Sequence, residues 1–493
     1  MHPPSPSTAA PASLTRKEII SIMGGLMLAQ FIGALDQTIV APAMPTMGRE
    51  LGDHATLPWV VTAYLLVSTA VTPIYGKLSD IHGRRIMLMI AIGIFVLGSI
   101  ACALAPNMLT LVLARGLQGL GGGGLIALTQ TIVGDMVAPK DRGAYQVYIQ
   151  ATWMASSLAG PVLGGLFAQY SHWSLIFWIN LPLGLIAFMM TSAKLKRLPR
   201  HERPHELDLL GALLMMTMSV LLMLALNWGG VRYAWGSSTI LSLLASSALA
   251  FVALVWRLRT AREPLIPVSV LANPVVFNGV IAVCFAMGAL IGLIIYLPMY
   301  FESVSRLGAD LSGVALLPLV MGTTLGAGIA GRFMSRLKHY KRMPIAGLSI
   351  SIAATLVLGA WSGSIPFLLL ELMLASLAIG LGTLLPVVTI SLQNAVPHHE
   401  LGTTMALMNF LRQVGSAFAV AAFGTVLMSM ATSGGPGSHE LLVREGLKDP
   451  EALASGFRIL FVACSAALAV ALAFLLRMEE RPLKGSKPAG GTA

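Results

Sequence analysis

Charged residues are scarce in this sequence. Asp, Glu, Lys and Arg make up only 11% of its 493 residues, against about a quarter in soluble domains. Together with a hydrophobic content of 56%, this scarcity excludes an ordinary water-soluble fold and indicates an integral membrane protein. The formal charge of +11 is spread over short loops. Because nucleic-acid binding needs basic residues gathered on one soluble face, no nucleic-acid partner is expected.

Cysteines and catalytic motifs are also few. The three cysteines, Cys102, Cys284 and Cys464, lie far apart within apolar runs, so we expect buried free thiols. The sequence has no CxxC pair, no phosphate-binding Walker loop and no GxSxG elbow. We therefore expect no ATP site, no catalytic residues, no bound metal and no cofactor.

Long apolar runs dominate the chain. About 20 apolar residues cross a bilayer as a helix, and fourteen such runs occur, so the predicted fold is an all-α integral membrane protein with fourteen transmembrane helices. The predicted spans are 18–41, 57–76, 86–105, 108–134, 143–169, 174–192, 208–228, 237–256, 275–300, 311–331, 343–362, 366–391, 401–430 and 456–476. The first run contains Asp36 and is too long for a signal peptide, so we expect it to be retained.

The basic residues indicate the orientation. When loops are assigned alternately to the two sides, twenty-four Lys and Arg fall on the side of the termini and six on the other. Since Lys and Arg collect on the cytoplasmic side, both termini are predicted to be cytoplasmic in a multi-pass protein of the inner or plasma membrane.

A weak internal repeat predicts two related halves. Gly76–Ser79 resembles Gly331–Met334, and Pro139–Gly143 resembles Pro397–Gly402, at offsets of 255 and 258 residues. Spans 1–6 and 9–14 are therefore predicted to form two pseudo-symmetric six-helix bundles, with spans 7 and 8 inserted, an architecture typical of secondary transporters. The predicted segments are a disordered cytoplasmic tail (1–17), the N-terminal bundle (18–192), a cytoplasmic linker (193–207), the inserted helices (208–257), a second cytoplasmic linker (258–274), the C-terminal bundle (275–476) with an external loop (432–451), and a cytoplasmic tail (477–493).

Four ionisable residues lie deep within the predicted spans: Asp36, Arg115, Glu371 and Arg412. Each costs about 2.5–3.5 kcal/mol to insert, so each needs a reason to be there. A carboxylate at position 36 that faces a cavity binds either a cation or a proton, which is the requirement for proton coupling; the alternative is an interfacial residue that orients its helix. Arg115 is expected to tune or relay that proton, or else to bond structurally to backbone carbonyls.

The other intramembrane residues carry weaker expectations. Glu371 is either a second coupling or cation-binding acid or a carboxylate that reaches water, and Arg412 is either structural or part of a cavity. The alternative for each of the polar and aromatic candidates is packing in the core or against lipid. The candidate cavity residues are Gln37, Tyr64, Gln118, Tyr145, Trp153 and Arg412.

Two glycine-rich segments indicate moving or tightly packed parts. The first is the charged turn Gly76–Arg85, whose candidate gate residues are Gly76, Asp80, Gly83, Arg84 and Arg85. In the second, Pro161 bends the fifth span while glycines admit a neighbouring helix, which suits a gating joint. The residues of this second segment are Gly160, Pro161, Gly164 and Gly165.

These segments, in this order, resemble the fourteen-span drug:proton antiporter branch of the major facilitator superfamily. The matching motifs are Leu35–Val40 with Pro45, Gly76–Arg85, Arg115–Gly119, Gly160–Gly165, Trp178–Gly184, Arg262–Leu265 and Arg412–Gly415. The resemblance implies proton-coupled export of small hydrophobic, often cationic compounds by alternating access in the lipid bilayer, by a protein that can act as a monomer. It gives Asp36 the coupling role, Arg115 the relay role, and Asp80 with Arg84 a cytoplasmic charge lock.

This sequence departs from the family pattern in a way that narrows the expected substrates, and alternative functions stay open. The tenth and thirteenth spans carry no carboxylate, which favours monovalent over dicationic substrates. An exporter dedicated to one metabolite, antibiotic, lipid or siderophore has the same sequence requirements and stays open. An intramembrane enzyme or a receptor is disfavoured, because no catalytic constellation occurs and the largest external loop is short.

Overall fold

The computed structural model describes residues 16–53, 56–195, 207–307, 309–334, 336–337, 339–361, 365–431, 450–483 and 485. Most of the predicted N-terminal tail, of the first linker and of the 432–451 loop lies outside these residues, as does the end of the C-terminal tail.

The described residues form helices and no strands, which confirms the all-α prediction. Two 3-10 turns, Ala41–Ala43 and His398–Glu400, join helices. The helices are α1 Arg16–Ile39, α2 Met44–Leu51, α3 Trp59–His82, α4 Arg84–Ala103, α5 Met108–Met136, α6 Arg142–Tyr170, α7 Leu175–Trp178, α8 Asn180–Lys194, α9 Leu209–Trp228, α10 Ser238–Thr260, α11 Val268–Ala272, α12 Pro274–Ser303, α13 Ala309–Ala315, α14 Leu317–Met334, α15 Arg342–Ala360, α16 Phe367–Gly382, α17 Leu384–Ala395, α18 Leu401–Ala431 and α19 Pro450–Arg477.

Within the described ranges, thirteen segments are helical, long and apolar enough to cross a membrane. Helix α6 has the length of a span, 29 residues, but is not among the thirteen, so the count of fourteen stays a prediction. Apolar side chains on the outside of the helices are well exposed, for example Leu113 at 66% and Leu368 at 72%. Such an apolar exterior is suited to lipid rather than water.

Side-chain caps and one glycine fix several helix ends. Asn107 accepts a hydrogen bond from the Thr110 amide at the start of α5, and Asp208 accepts one from the Gly211 amide at the start of α9. Between α3 and α4 only Gly83 is non-helical, with φ of 90°, a conformation that glycine adopts without strain. The charged turn is therefore shorter than predicted, because α3 continues to His82 and α4 begins at Arg84.

Helices pack both within each half of the chain and between the halves, where α3 contacts α18 and α6 contacts α14. Helix α1 packs against α6, and α5 packs against α3 and α4. In the second half α12 packs against α18, α14 against α16, and α15 against α19. The inserted helices α9 and α10 form a hairpin, and α9 also contacts both α3 and α18, so the hairpin touches both halves.

The segments related by the sequence repeat meet crosswise at one end of the molecule. A Cβ at Gly76 would lie 2.6 Å from the Gly402 carbonyl oxygen, and a Cβ at Gly143 would collide with the Gly331 carbonyl. The first segment of each half thus contacts the second segment of the other, as an approximate twofold relation requires. We call this end, which carries Gly76–Arg85, the basic end, and the other the opposite end.

We predict that a valine at Gly331 separates the two halves at the basic end, because its side chain has no room against Gly143. The overpacked Gly331→Val protein should lose about 1–3 kcal/mol of stability and unfold at a lower temperature in detergent, followed by tryptophan fluorescence. Gly328→Val is the matched control, since it puts the same side chain one turn away on α14 where no atom lies within 4 Å. Equal unfolding temperatures for the two variants would contradict the close approach.

Candidate functional site

A cavity of about 1290 Å³ lies between the two halves. Its walls come from both halves and from the turn Gly229–Val231 of the inserted hairpin, and apolar side chains such as Ile294 and Met299 predominate. The lining continues to Val61 and Thr62, near the opposite end of α3. A cavity of this size and character suits a drug-sized apolar ligand.

A buried ion pair lies at one side of this cavity. Asp36 on α1 is fully buried, and its Oδ2 is 2.6 Å from Nη1 of Arg115 on α5. The other oxygen, Oδ1, accepts hydrogen bonds from Gln118 at 2.8 Å and from Asn180 at 3.4 Å. Arg115 in turn donates through Nε to the Val60 carbonyl at 2.8 Å. Both charges are thus paired and hydrogen-bonded, which a buried ion pair requires.

Asp36 does not itself line the cavity. Gln37, Tyr64 and Arg115 do, and the Tyr64 ring lies over the Arg115 guanidinium with 4.4 Å between Cζ and the ring centroid. In this conformation a compound in the cavity therefore meets Arg115 and Tyr64 before it meets the carboxylate.

Only some of the remaining candidate residues line the cavity. Trp153 and Arg412 line the cavity, and the Arg412 Cζ is 5.9 Å from the Trp153 ring centroid. Gln118 belongs to the hydrogen-bond network around Asp36, whereas Tyr145 packs against the core of the N-terminal half. Glu371 does not line the cavity; it lies on α16, which packs against α14 and α15, and its carboxylate has no hydrogen-bond partner among the described residues.

Polar contacts between the halves close the cavity toward the basic end. Thr69 donates to Gln413 Oε1 at 2.6 Å, and Asn409 donates to Gln130 Oε1 at 2.7 Å. Gln393 adds a bond to the Gln130 carbonyl at 3.0 Å. Each of these bonds joins α3 or α5 to α17 or α18, so together they form the floor of the cavity.

The predicted gate residues lie beyond this floor. Asp80 accepts hydrogen bonds from the Gly402 and Thr403 amides at 3.1 and 2.8 Å, at the start of α18. A helix N-terminus favours an anion, so Asp80 attaches α3 to the other half.

Arg84 completes this cluster. It pairs with Asp80, donates to Asp135 Oδ2 at 2.8 Å and reaches the His398 carbonyl at 3.0 Å. Arg85 forms no ion pair within the described part of the chain, and its Nε has no hydrogen-bond partner there. The charge cluster that joins the halves thus contains Arg84 and not Arg85.

The glycine-rich segment of α6 packs against α1 directly after Asp36. A Cβ at Gly160 would collide with the Thr38 side chain, and one at Gly164 with the Ile39 carbonyl. Pro161 lines the cavity, while a Cβ at Gly165 would meet no atom within 4 Å. Gly160 and Gly164 therefore set how closely α6 approaches the Asp36 helix.

Sequence reasoning missed several residues of the site. Asn180 lies in the quoted motif Trp178–Gly184, but no role was assigned to it. Asp135 and the Gln130–Asn409 pair were also missed, although polar side chains inside long apolar runs are the signal that identified Asp36. Asn180 bonds to Asp36 and Ser99 of its own half, whereas Asp135 contacts His398 and Gln130 bonds to Asn409 of the other half, so their roles depend on partners that are distant in sequence.

No metal site is found among the described residues, since no group of three or more His, Cys, Asp or Glu could hold an ion. Residues His201–His205 have the HExxH spacing of a zinc-binding helix. Pro204 does not fit the interior of such a helix, and the segment lies outside the described residues.

The profile of the Major Facilitator Superfamily matches residues 26–420. The chain belongs to this superfamily. A Mycobacterium tuberculosis (strain H37Rv) protein named only as an uncharacterised MFS-type transporter is 33% identical over 434 residues, 87% of this chain and 63% of the relative. The chain thus spans less than two thirds of that relative. The multidrug transporter MdtP of Bacillus subtilis is 32% identical over 407 residues, 82% of this chain and 75% of MdtP.

Solved structures agree on the fold. A bacterial homologue of the iron transporter ferroportin, in an outward-facing state, superposes with a TM-score of 0.63 at 12% identity, over 94% of this chain and 99% of that one. The chain is thus a multi-pass membrane protein of this superfamily, and proteins named as a multidrug transporter and a multidrug resistance protein are among its relatives.

We predict that Arg115→Lys is destabilising although it keeps the charge. A lysine cannot reproduce the bonds to both Asp36 and the Val60 carbonyl. One buried polar group is then left without a partner, which lowers the free energy of unfolding by about 1–3 kcal/mol. Arg412→Lys is the control, because Arg412 makes no such bonds within the described residues. Thermal unfolding in detergent compares the two, and an Arg115→Lys protein as stable as the control would show that the network is dispensable.

Proposed function

We propose that this transporter exports hydrophobic, drug-like compounds in exchange for protons by alternating access. The observation that carries the proposal is the buried Asp36–Arg115 pair behind the cavity wall. A carboxylate in that position holds either a cationic partner or a proton, so occupancy by the proton changes the charge of the cavity wall.

In this conformation the cavity is closed at the basic end. The cavity lining reaches the opposite end, whereas Asp80, Arg84 and the paired glycines hold the basic end closed. The excess of Lys and Arg assigns the basic end, and with it both termini, to the cytoplasm, and α6 then provides the fourteenth span. In this assignment the structure is open to the outside.

Protonation of Asp36 is the proposed step that resets the cycle. A neutral carboxyl no longer balances Arg115, so the guanidinium is freed to turn toward the cavity and displace the substrate. After release of the proton on the cytoplasmic side, the carboxylate is again available to Arg115 or to a lipophilic cation. Proton and cationic substrate thus exclude one another, which produces antiport.

We predict that Asp36→Asn abolishes proton-driven ethidium efflux, because an amide cannot exchange a proton. Efflux is measured in proteoliposomes or cells with an imposed pH gradient, and a protonophore should stop it in the wild type. Glu371→Gln is the matched control, since it neutralises another intramembrane carboxylate that does not line the cavity; this variant should keep efflux close to the wild-type rate.

The possible outcomes separate the alternatives. Efflux by Asp36→Asn at the wild-type rate, with loss of efflux in Glu371→Gln, would assign coupling to Glu371 instead. A folded, inserted wild-type protein that moves no ethidium would contradict multidrug export and favour an exporter dedicated to one metabolite.

We predict that Asp80→Asn impairs efflux without weakening substrate binding. The change removes the charge that attaches α3 to the start of α18. Destabilising the form that is closed at the basic end by about 1.4 kcal/mol lowers its ratio to the form open at that end about tenfold. Ethidium binding, measured by fluorescence, should stay within about twofold of wild type because Asp80 is outside the cavity lining. Glu400→Gln is the control, because Glu400 is a nearby carboxylate that is bonded only to Ser269 among the described residues. Loss of ethidium binding in Asp80→Asn would refute the gate role.

A further inference from the structure

Arg412 is a charge inside the cavity that no acidic group of the described residues balances. It lies on α18, lines the cavity and is partly exposed to it. Within the described part of the chain its side chain forms no ion pair and no hydrogen bond, and the contact that the structure gives it is the face of Trp153. None of its nitrogen atoms is among the buried polar atoms without a partner, so the unpaired guanidinium is accessible to a ligand in the cavity.

The charges of all the lining residues also leave one positive charge unbalanced. Arg115 and Arg412 are the charged side chains among the lining residues, all of which are described, and no Asp or Glu is among them. Arg115 is already neutralised by Asp36 and also donates to Gln118 at 2.5 Å and to Val60. One positive charge therefore remains facing the cavity, and it is located at Arg412.

We propose that Arg412 forms an anion-binding subsite that takes the carboxylate or sulfonate group of an amphiphilic compound. The planar guanidinium offers paired donors that match such a group. Trp153 from α6, whose ring centroid lies 5.9 Å from the Arg412 Cζ, supplies aromatic surface beside it for the apolar body of the compound. The subsite rests on the proposed function only in that the cavity is the substrate site.

Its position also separates it from the coupling site. Arg412 belongs to the C-terminal half and the Asp36–Arg115 pair to the N-terminal half, on α1 and α5. An acidic group of a substrate meets Arg412 directly, whereas a basic group reaches Asp36 only after Arg115 has moved away from it. The cavity accordingly accepts amphiphilic anions in addition to the lipophilic cations expected from the coupling acid.

Two xanthene dyes of similar shape and opposite charge test this subsite. Fluorescein carries a carboxylate, whereas rhodamine 123 is its cationic ester analogue. Fluorescence anisotropy with the purified full-length protein in detergent gives both dissociation constants without any proton gradient. Detergent micelles alone provide the correction for partitioning of the dyes.

Arg412→Gln should weaken fluorescein binding about tenfold, the loss expected for one charge-assisted pair, and change rhodamine 123 binding by less than about twofold. Arg412→Lys should retain most of the fluorescein affinity because it keeps the charge. Arg232→Gln is the matched control: Arg232 also lies on a tryptophan face, that of Trp228 at 5.6 Å, but does not line the cavity, so both dyes should bind it as they bind the wild type.

Rhodamine 123 binding to Arg412→Gln also shows that the variant is folded. Unchanged fluorescein affinity in Arg412→Gln, an equal loss for both dyes, or an equal loss for fluorescein in Arg232→Gln would each overturn the subsite. Failure of proton-driven ethidium efflux would instead refute the proposed coupling and leave these binding constants unaffected, so the two proposals fail separately.

Discussion

The ion pair between Asp36 and Arg115 is the interaction on which the rest of the structure depends. Its bonds tie together α1, α3, α5 and α8, through Asp36, the Val60 carbonyl, Arg115 and Asn180. Removing one partner of a buried pair leaves an uncompensated charge, which costs about 3–5 kcal/mol. The same dependence makes the pair suitable for coupling, since a single proton on Asp36 removes the balance that holds four helices.

The helices that hold this pair also carry the proposed gate. Val60 and Asp80 lie 20 residues apart on α3, and Arg115 and Asp135 lie 20 residues apart on α5. At 1.5 Å per residue each separation is about 30 Å. Two continuous helices therefore connect the proposed coupling site to the cluster in which Arg84 bridges Asp80 and Asp135.

The sequence predicted the helices and several site residues from local signals. Apolar length located the spans, the repeat identified segments that meet crosswise, and Asp36 was recognised by its improbable place in an apolar run. What it could not predict depends on distant partners: Asp36 lies behind Arg115, and Asp80 is bonded to the amides at the start of α18. Periodicity likewise could not show that Glu371 is away from the cavity, since its direction is set by packing of α16 against α14 and α15.

The central claim is that proton and substrate exclude one another at Asp36. Proton release on addition of ethidium to the purified, weakly buffered protein, followed with a pH indicator, measures this directly. The account predicts that the wild type releases protons in proportion to bound ethidium and that Asp36→Asn releases none while still folded. Ethidium binding by the wild type without proton release at every pH across the range in which the protein is folded would contradict it.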